Sequence, residues 1–371
     1  MFGKKSCTFG LFLNVKVMSI DKLSEESYEL LKLLVKTPSL SRDEEGAAIV
    51  IRKFLSDHSI PFSQVQCNTW CFNKYWDSSK PVILLNSHID TVKPVDGWTY
   101  DPFGATEEDG KLIGLGSNDA GAPLVSLLAV FRYFYERRNL PFNLVYAATA
   151  EEESSGLNGM ALLVEALERV DFAIVGEPTQ MKLAIAEKGL LVFNCVAHGK
   201  AGHAARNEGV NSIYLAMNDI EKIRNFKFDR VSPILGEVKM TVTIIEAGTQ
   251  HNVVPDTCKF VIDVRTNECY TNDEVVDIIQ NLLDSEAVPR SRRLNSSGLE
   301  FEHPFVVKAQ SLGIECYGSP TMSDQSLMPY KSVKMGPGDS ARSHTANEFI
   351  YREEIESGIN GYIRLLEGLV L

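Results

Sequence analysis

Pro81-Val82-Ile83-Leu84-Leu85-Asn86-Ser87-His88-Ile89-Asp90 is the stretch that decides how this chain folds. Its four consecutive apolar residues are too few for a helix and read as a strand buried on both faces. The run delivers His88 and Asp90 to its carboxyl end, where open α/β sheets place their chemistry. Residues two apart in a strand point to the same side. His88 can therefore offer an imidazole to a metal while Asp90 holds that ring in the right tautomer. A His-x-Asp also arises by chance, so its meaning depends on what else reaches the same edge.

Outward from this strand, helices and strands alternate. Two helices precede it. One covers about 21–35, with Leu23, Tyr28, Leu31 and Leu34 near helical spacing; the other starts after Ser41, where Asp43-Glu44-Glu45 suits a helix N-terminus, and runs to about Leu55. A helix over about 121–137, a strand from Phe142 to Ala148, a helix over about 157–168 and a strand from Phe172 to Gly176 follow. This order predicts a largely parallel sheet with helices on both faces.

Past Leu183 the texture changes to a strand from Leu190 to Ala197, a helix over 211–224, strands over 238–246 and 257–265, and a helix over 273–284. That order opens a small two-layer α+β unit whose closing strand is expected within 286–297, despite Arg290, Arg292 and Arg293. From Phe305 the chain returns to a helix, Gly- and Pro-rich loops, and a last helix over Arg352 to Leu369. The expected architecture is a mostly parallel α/β domain from residues 19–183 and 299–371, with a smaller α+β domain, residues 184–298, inserted into it.

Composition narrows the function. The chain has 371 residues, 44% of them hydrophobic, and 37 basic against 49 acidic residues give a net charge of −12. Such a balance argues against sequence-independent binding to nucleic acid or to an anionic membrane surface. No apolar run approaches the roughly 20 residues that span a bilayer. Seven scattered cysteines, with only Cys67 and Cys71 close together, form no zinc-ribbon pattern and read as free thiols of a cytoplasmic protein. Residues 1–18 read as an N-terminal extension: Lys4, Lys5 and the run Cys7 to Leu13 faintly resemble a signal peptide, but Asn14 and Lys16 interrupt it and no cleavage site follows.

Four further clusters lie at expected loop positions after strands. Gly114-Leu115-Gly116-Ser117-Asn118-Asp119 combines a tight turn with an acid at the start of a helix, and lacks the Gly-Lys-Ser/Thr of a phosphate loop. Thr149-Ala150-Glu151-Glu152-Glu153 follows a strand, and by itself is an ordinary solvated helix start. Gly176-Glu177-Pro178-Thr179 follows another and by itself is a plain turn. Gly336-Pro337-Gly338-Asp339-Ser340 precedes His344, by itself a loop histidine. Together, two imidazoles and several carboxylates after successive strands make a nitrogen and oxygen ligand set without thiolate, which suits zinc, with cobalt or manganese as substitutes. A central Asp can bridge two ions about 3.5–4 Å apart. One acid must stay unligated to take a proton.

These motifs, spanning about residues 80–350, resemble the acetylornithine deacetylase / succinyl-diaminopimelate desuccinylase family of di-zinc amidohydrolases, whose relatives include carboxypeptidases and dipeptidases. The resemblance implies a catalytic di-zinc domain and an inserted lid and dimerisation domain. His88, Asp119, Glu153, Glu177 and His344 would be ligands of two Zn2+, with Asp119 bridging; Asp90 would orient His88, and Glu152 would be the general base. Gly199-Lys200-Ala201-Gly202-His203 resembles the lid motif whose His reaches a partner subunit's active site, so His203 implies a homodimer. Asn252, in Gly248 to Pro255, would contact the reacting group, and Arg265 would grip a substrate carboxylate.

Two departures stand out. The family commonly has Asp-Glu-Glu where this chain has Glu151-Glu152-Glu153, which leaves open a register with Glu151 as base and Glu152 as ligand. A Lys common two residues after the bridging Asp is Gly121 here. The expected reaction is hydrolysis of the N-acyl amide of an N-acetyl or N-succinyl amino acid such as ornithine or citrulline, in arginine biosynthesis. A metal-dependent dipeptidase or aminoacylase, or an inactive metal-binding homologue, are the alternatives.

Overall fold

The computed structural model describes residues 18–371. The expected N-terminal extension therefore lies, apart from Met18, outside the described residues. Val82–His88 is the heart of a nine-stranded sheet, flanked in parallel by Asn143–Thr149 on one side and Phe172–Val175 on the other. The chain moves one way from the first strand to the second, then back across the first to reach the third. Right-handed crossovers then require the two connecting helices to lie on opposite faces.

They do. Ala122–Phe134 packs with Ile83, Leu85 and Tyr146 in the main core. Met160–Ala166 brings Met160 and Leu163 against Val82, Leu84 and Ala147 in a second cluster. Alternate residues of one strand thus fill two cores, which is why the run has no polar alternation. Ile20–Val35 and Arg352–Leu366 complete the layer with Ala122–Phe134.

The sheet is mixed rather than parallel throughout. The hairpin Ser63–Val65 and Asn68–Phe72 extends one edge antiparallel to Asn143–Thr149. On the other side Ser332–Lys334 lies parallel to Phe172–Val175 and touches Leu183–Glu187 antiparallel, which in turn pairs with Ser297–Gly298 and Cys316–Ser319. The expected unit boundaries at 184 and 298 cut through this edge, because Leu183–Glu187 and Ser297–Gly298 belong to the large sheet. Its strands are short and follow loops, so they carry no periodic signature.

Between those strands, Gly189–His198, Lys239–Ala247, Thr257–Thr266 and Glu286–Pro289 form an antiparallel four-stranded sheet. The closing strand ends at Pro289, before the arginines that obscured it. Helices Ser212–Asn225 and Asn272–Leu282 cover one face over a separate core of Leu191, Phe193, Phe260, Ile262, Val275 and Ile279. Thr271 and Glu274 form a reciprocal capping box that sets the start of the second helix.

A three-stranded sheet, Thr106–Glu108, Lys111–Ile113 and Phe349–Tyr351, was not expected from the sequence. It matters for the site because it ties the segment after His344 to the segment before Asp119. The six cysteines from Cys67 to Cys316 are free thiols. Among the described residues no helix is long and apolar enough to cross a membrane.

Leu85 is fully buried in the central strand. Leu85→Ala should cost about 2–5 kcal/mol of stability through lost transfer energy and a residual cavity. Urea unfolding of wild type and variant reads this directly, and an unchanged midpoint would contradict the packing described.

Candidate metal centre

Each residue of the cluster sits where a strand of the large sheet, or a turn packed on it, runs out. His88 closes Val82–His88, Glu152 and Glu153 follow Asn143–Thr149, and Glu177 follows Phe172–Val175. Asp119 stands in the turn Ser117–Gly121, and His344 follows the short helical turn Ser340–Arg342.

Asp119 is central. Its Oδ1 lies 3.4 Å from His88 Nε2, while its Oδ2 lies 3.7 Å from His344 Nε2. Glu177 Oε1 is 3.8 Å from the same His88 nitrogen, and Glu153 Oε1 is 3.0 Å from the same His344 nitrogen. Two potential ligand triads result, His88–Asp119–Glu177 and Asp119–Glu153–His344, and they share one carboxylate. Glu152 stands beside both, grouped with His88 and Glu153.

Glu151 turns away. Its carboxylate accepts from the Asn158 backbone N–H and side-chain amide, at 3.1 and 2.8 Å. Glu152 and Glu153, not Glu151, therefore face the cluster.

The donor set fits divalent metal. Four carboxylates, those of Asp119, Glu152, Glu153 and Glu177, meet two imidazoles, so two divalent ions would balance the negative charge. Glu177 Oε1 is buried with no hydrogen-bond partner, a costly state for a carboxylate unless a cation satisfies it. Burial pushes the Glu152 carboxyl well above the usual range; His88 opposes the rise, and Glu177, Asp324 and Glu153 add to it. Burial and the Asp119 charge push Glu177 up in the same way. His88 goes the other way from an ordinary buried histidine: burial lowers it, but Asp119 and Asp90 hold the imidazolium well above its normal range. Carboxylates crowded in this way favour a bound cation, which would offset their charge.

Asp90 does more than orient an imidazole. His88 Nδ1 lies 2.9 Å from the Asp90 carbonyl and 3.4 Å from its carboxylate. That carboxylate also accepts from the backbone N–H of Glu152 at 3.0 Å and of Glu153 at 3.1 Å, and from Ser41 Oγ at 2.6 Å. It holds the turn that carries the acids as well as the ring beside them.

Residues 84–368 match the sequence model of Peptidase family M20/M25/M40. The chain belongs to this family. As an M20/M25/M40 protein it is a metal-dependent hydrolase of amide or peptide bonds. Solved structures of the same fold include aminopeptidase PepT from Bacillus cereus, with TM-score 0.74 and 20% identity over 95% of this chain and 99% of that one. A tripeptidase from Staphylococcus aureus superposes with TM-score 0.71 at 19% identity, over 95% of this chain and 99% of that one. YxeP from Bacillus subtilis, described as a dinuclear metal-binding peptidase, gives 0.70 at 17%, over 93% and 98%.

The M20/M25/M40 chain keeps three expected residues apart from the cluster. His203 lies exposed on the two-stranded ribbon Gly202–His203 and Val253–Val254, and Asn252 lies exposed in the turn that leads into its second strand. Arg265 is on the open face of the small sheet, its guanidinium on Asp263 at 2.9 and 3.1 Å. None of the three lines the cavity of about 300 Å3 beside the acids, which is walled by Tyr317, Ser319, Pro320, Thr321, Met322 and Lys334.

Sequence reasoning missed the supports of Asp119. Glu348 is buried and accepts from the backbone N–H groups of Asn118 and Asp119, both at 2.9 Å, and burial with the Asp119 charge pushes it up to about 8. The Asn118 amide clasps the Asp339 backbone at both its N–H and its carbonyl. An acid four residues after His344 was the available signal. At Gly121 a Cβ would come within 2.4 Å of the Gly116 carbonyl and 2.5 Å of Leu31. Packing of the first helix against this turn leaves no room for a side chain there.

Asp90→Ala should lower kcat more steeply than it lowers metal per chain, because it frees the Glu152–Glu153 turn while leaving every potential ligand in place. Turnover at saturating substrate, set beside metal content by atomic absorption, checks this; parallel losses would reduce Asp90 to a support for His88 alone.

Proposed function

We propose that the protein removes the acyl group from an N-acyl amino acid, with ornithine or citrulline carrying an acetyl or succinyl group as the first candidates. The observation that carries this reading is the shared Asp119, with one oxygen toward each triad, beside a further half-buried acid, Glu152. Supporting it is a cavity of about 300 Å3 beside the acids, room for a small substrate.

His88, Asp119 and Glu177 would hold one ion, and Asp119, Glu153 and His344 the other. The nitrogen and oxygen donors favour zinc, with cobalt or manganese as substitutes. Two such ions would supply Lewis acidity toward the scissile carbonyl and lower the pKa of water between them.

The chain's own groups do the rest. Glu152 takes the proton from the attacking water and returns it to the leaving amine nitrogen. Its place beside both triads suits it to that task. His203 would donate to the developing oxyanion from a partner subunit, which makes the protein a homodimer in this reading. Its exposure on the ribbon of the smaller unit, away from its own chain's cavity, supports action in trans. Asn252 would touch the reacting group and Arg265 the substrate carboxylate, and residues 184–298 would act as lid and dimer contact. Arg265 must first loosen its bond to Asp263.

Hydrolysis of a dipeptide or tripeptide is the second reading, favoured by the activities named for the B. cereus aminopeptidase and S. aureus tripeptidase. It would use the same metal residues.

A panel of N-acetyl and N-succinyl amino acids and of dipeptides, assayed with added zinc, separates the two; turnover of dipeptides alone would reject deacylation. Glu152→Gln should retain metal and lose about 10²–10⁴-fold in kcat, the usual worth of a positioned acid–base group. Near-wild-type turnover in that variant would remove Glu152 from its role. Asp119→Ala should instead lose metal, read as zinc per chain, and full occupancy would exclude a bridge.

A further inference from the structure

The large sheet carries a buried ion pair outside the metal cluster. Lys334, on Ser332–Lys334, and Glu187, at the end of Leu183–Glu187, are both almost wholly buried, with Lys334 Nζ 3.2 Å from Glu187 Oε2. Replacing such a pair by apolar residues of similar volume is often neutral or stabilising, so its presence calls for another reason.

The hydrogen bonds supply one. Lys334 Nζ donates to the Thr321 carbonyl at 2.9 Å and to Thr321 Oγ1 at 3.2 Å. Glu187 accepts from the Ser323 N–H at 3.2 Å and from Ser323 Oγ at 2.8 Å. Two sheet residues thus grip Thr321 and Ser323 on either side of Met322. One residue further on, Asp324 accepts from Thr149 Oγ1 at 2.8 Å, tying the same loop to the strand that leads into Glu152.

Thr321 and Met322 form the wall of the 300 Å3 cavity that faces Glu152, Glu153 and Glu177. Met322 and Asp324 also line a neighbouring space of about 180 Å3 against Glu152 and Glu153. A loop wall of this kind would otherwise be free to move, since its backbone has no strand partner here. Lys334, itself part of the cavity lining, fixes through its grip on Thr321 the shape that a substrate group meets.

We propose that Lys334, held by Glu187, is a positioning residue that sets the Thr321–Met322 wall and through it the binding of the substrate group beside the scissile bond. This rests on the reading of the cavity as the substrate site and names what shapes it.

Lys334→Met alone would strand a buried Glu187 and is expected to lose stability. The informative protein is the double variant Lys334→Met/Glu187→Gln, which removes both charges and keeps volume. Metal-loaded wild type and double variant are compared by hydrogen exchange over residues 319–327, and by KM and kcat on N-acetylornithine and on an Ala-Ala dipeptide.

The expected result is loss of exchange protection in that loop, a KM raised about tenfold with kcat changed by less than about threefold, and unchanged metal per chain. An unchanged KM in the folded double variant overturns the proposal, and so does a raised KM with wild-type exchange protection of the loop, which would make Lys334 a direct substrate contact. Should wild type hydrolyse only the dipeptide, deacylation fails and KM is read on the dipeptide instead. Should it hydrolyse neither, wild-type protection of the loop in the double variant overturns the proposal.

Discussion

Asp119 presents one carboxylate oxygen to each of two histidines, and with Glu152, Glu153 and Glu177 it concentrates negative charge in a space largely closed to water. Carboxylates packed this closely repel one another, and burial removes the solvent that would screen them. Much of the nearby structure is fitted to this constraint. Glu348 receives the two backbone N–H groups that lead into Asp119, Asn118 clasps the Asp339 backbone, and Asp90 receives those of Glu152 and Glu153. Backbone donors fix where each acid stands, and the remaining charge is left for divalent cations.

The large sheet makes that convergence possible. Three adjacent parallel strands end on the same edge, so His88, the Glu152–Glu153 pair and Glu177 arrive together although Glu177 is far from His88 in sequence. Helices on opposite faces keep those strands dry, which makes their ends stiff. The C-terminal segment reaches the same edge by another route. Phe349–Tyr351 pairs with Lys111–Ile113, and the Gly114 N–H donates to the Glu348 carbonyl, bringing His344 and Glu348 up to the Asp119 turn.

The smaller unit has its own core and its own regular pattern. Alternating burial along Gly189–His198 and the capping box at Thr271 are local signals, and they were readable without the rest of the chain. Leu183–Glu187 was not, because five residues buried by neighbours on both sides leave no period to read. The same is true of Ser332–Lys334, and the half-buried Cys316–Ser319 is likewise a short strand embedded in loops. Their pairing is a property of the assembled sheet.

By itself the sequence determined the alternation of strands and helices, the apolar run that becomes the central strand, and the order in which His88, Asp119, Glu152, Glu153, Glu177 and His344 follow successive elements. Those are local facts, set by side-chain period and by turn residues. Tertiary structure alone decided that Glu152 and Glu153 face the cluster while Glu151 bonds Asn158, because adjacent acids of identical chemistry differ only in backbone direction. It also decided the supports, Glu348 beneath Asp119 and the Lys334–Glu187 pair that holds the cavity wall. Their partners lie across the fold, at separations that no local pattern encodes.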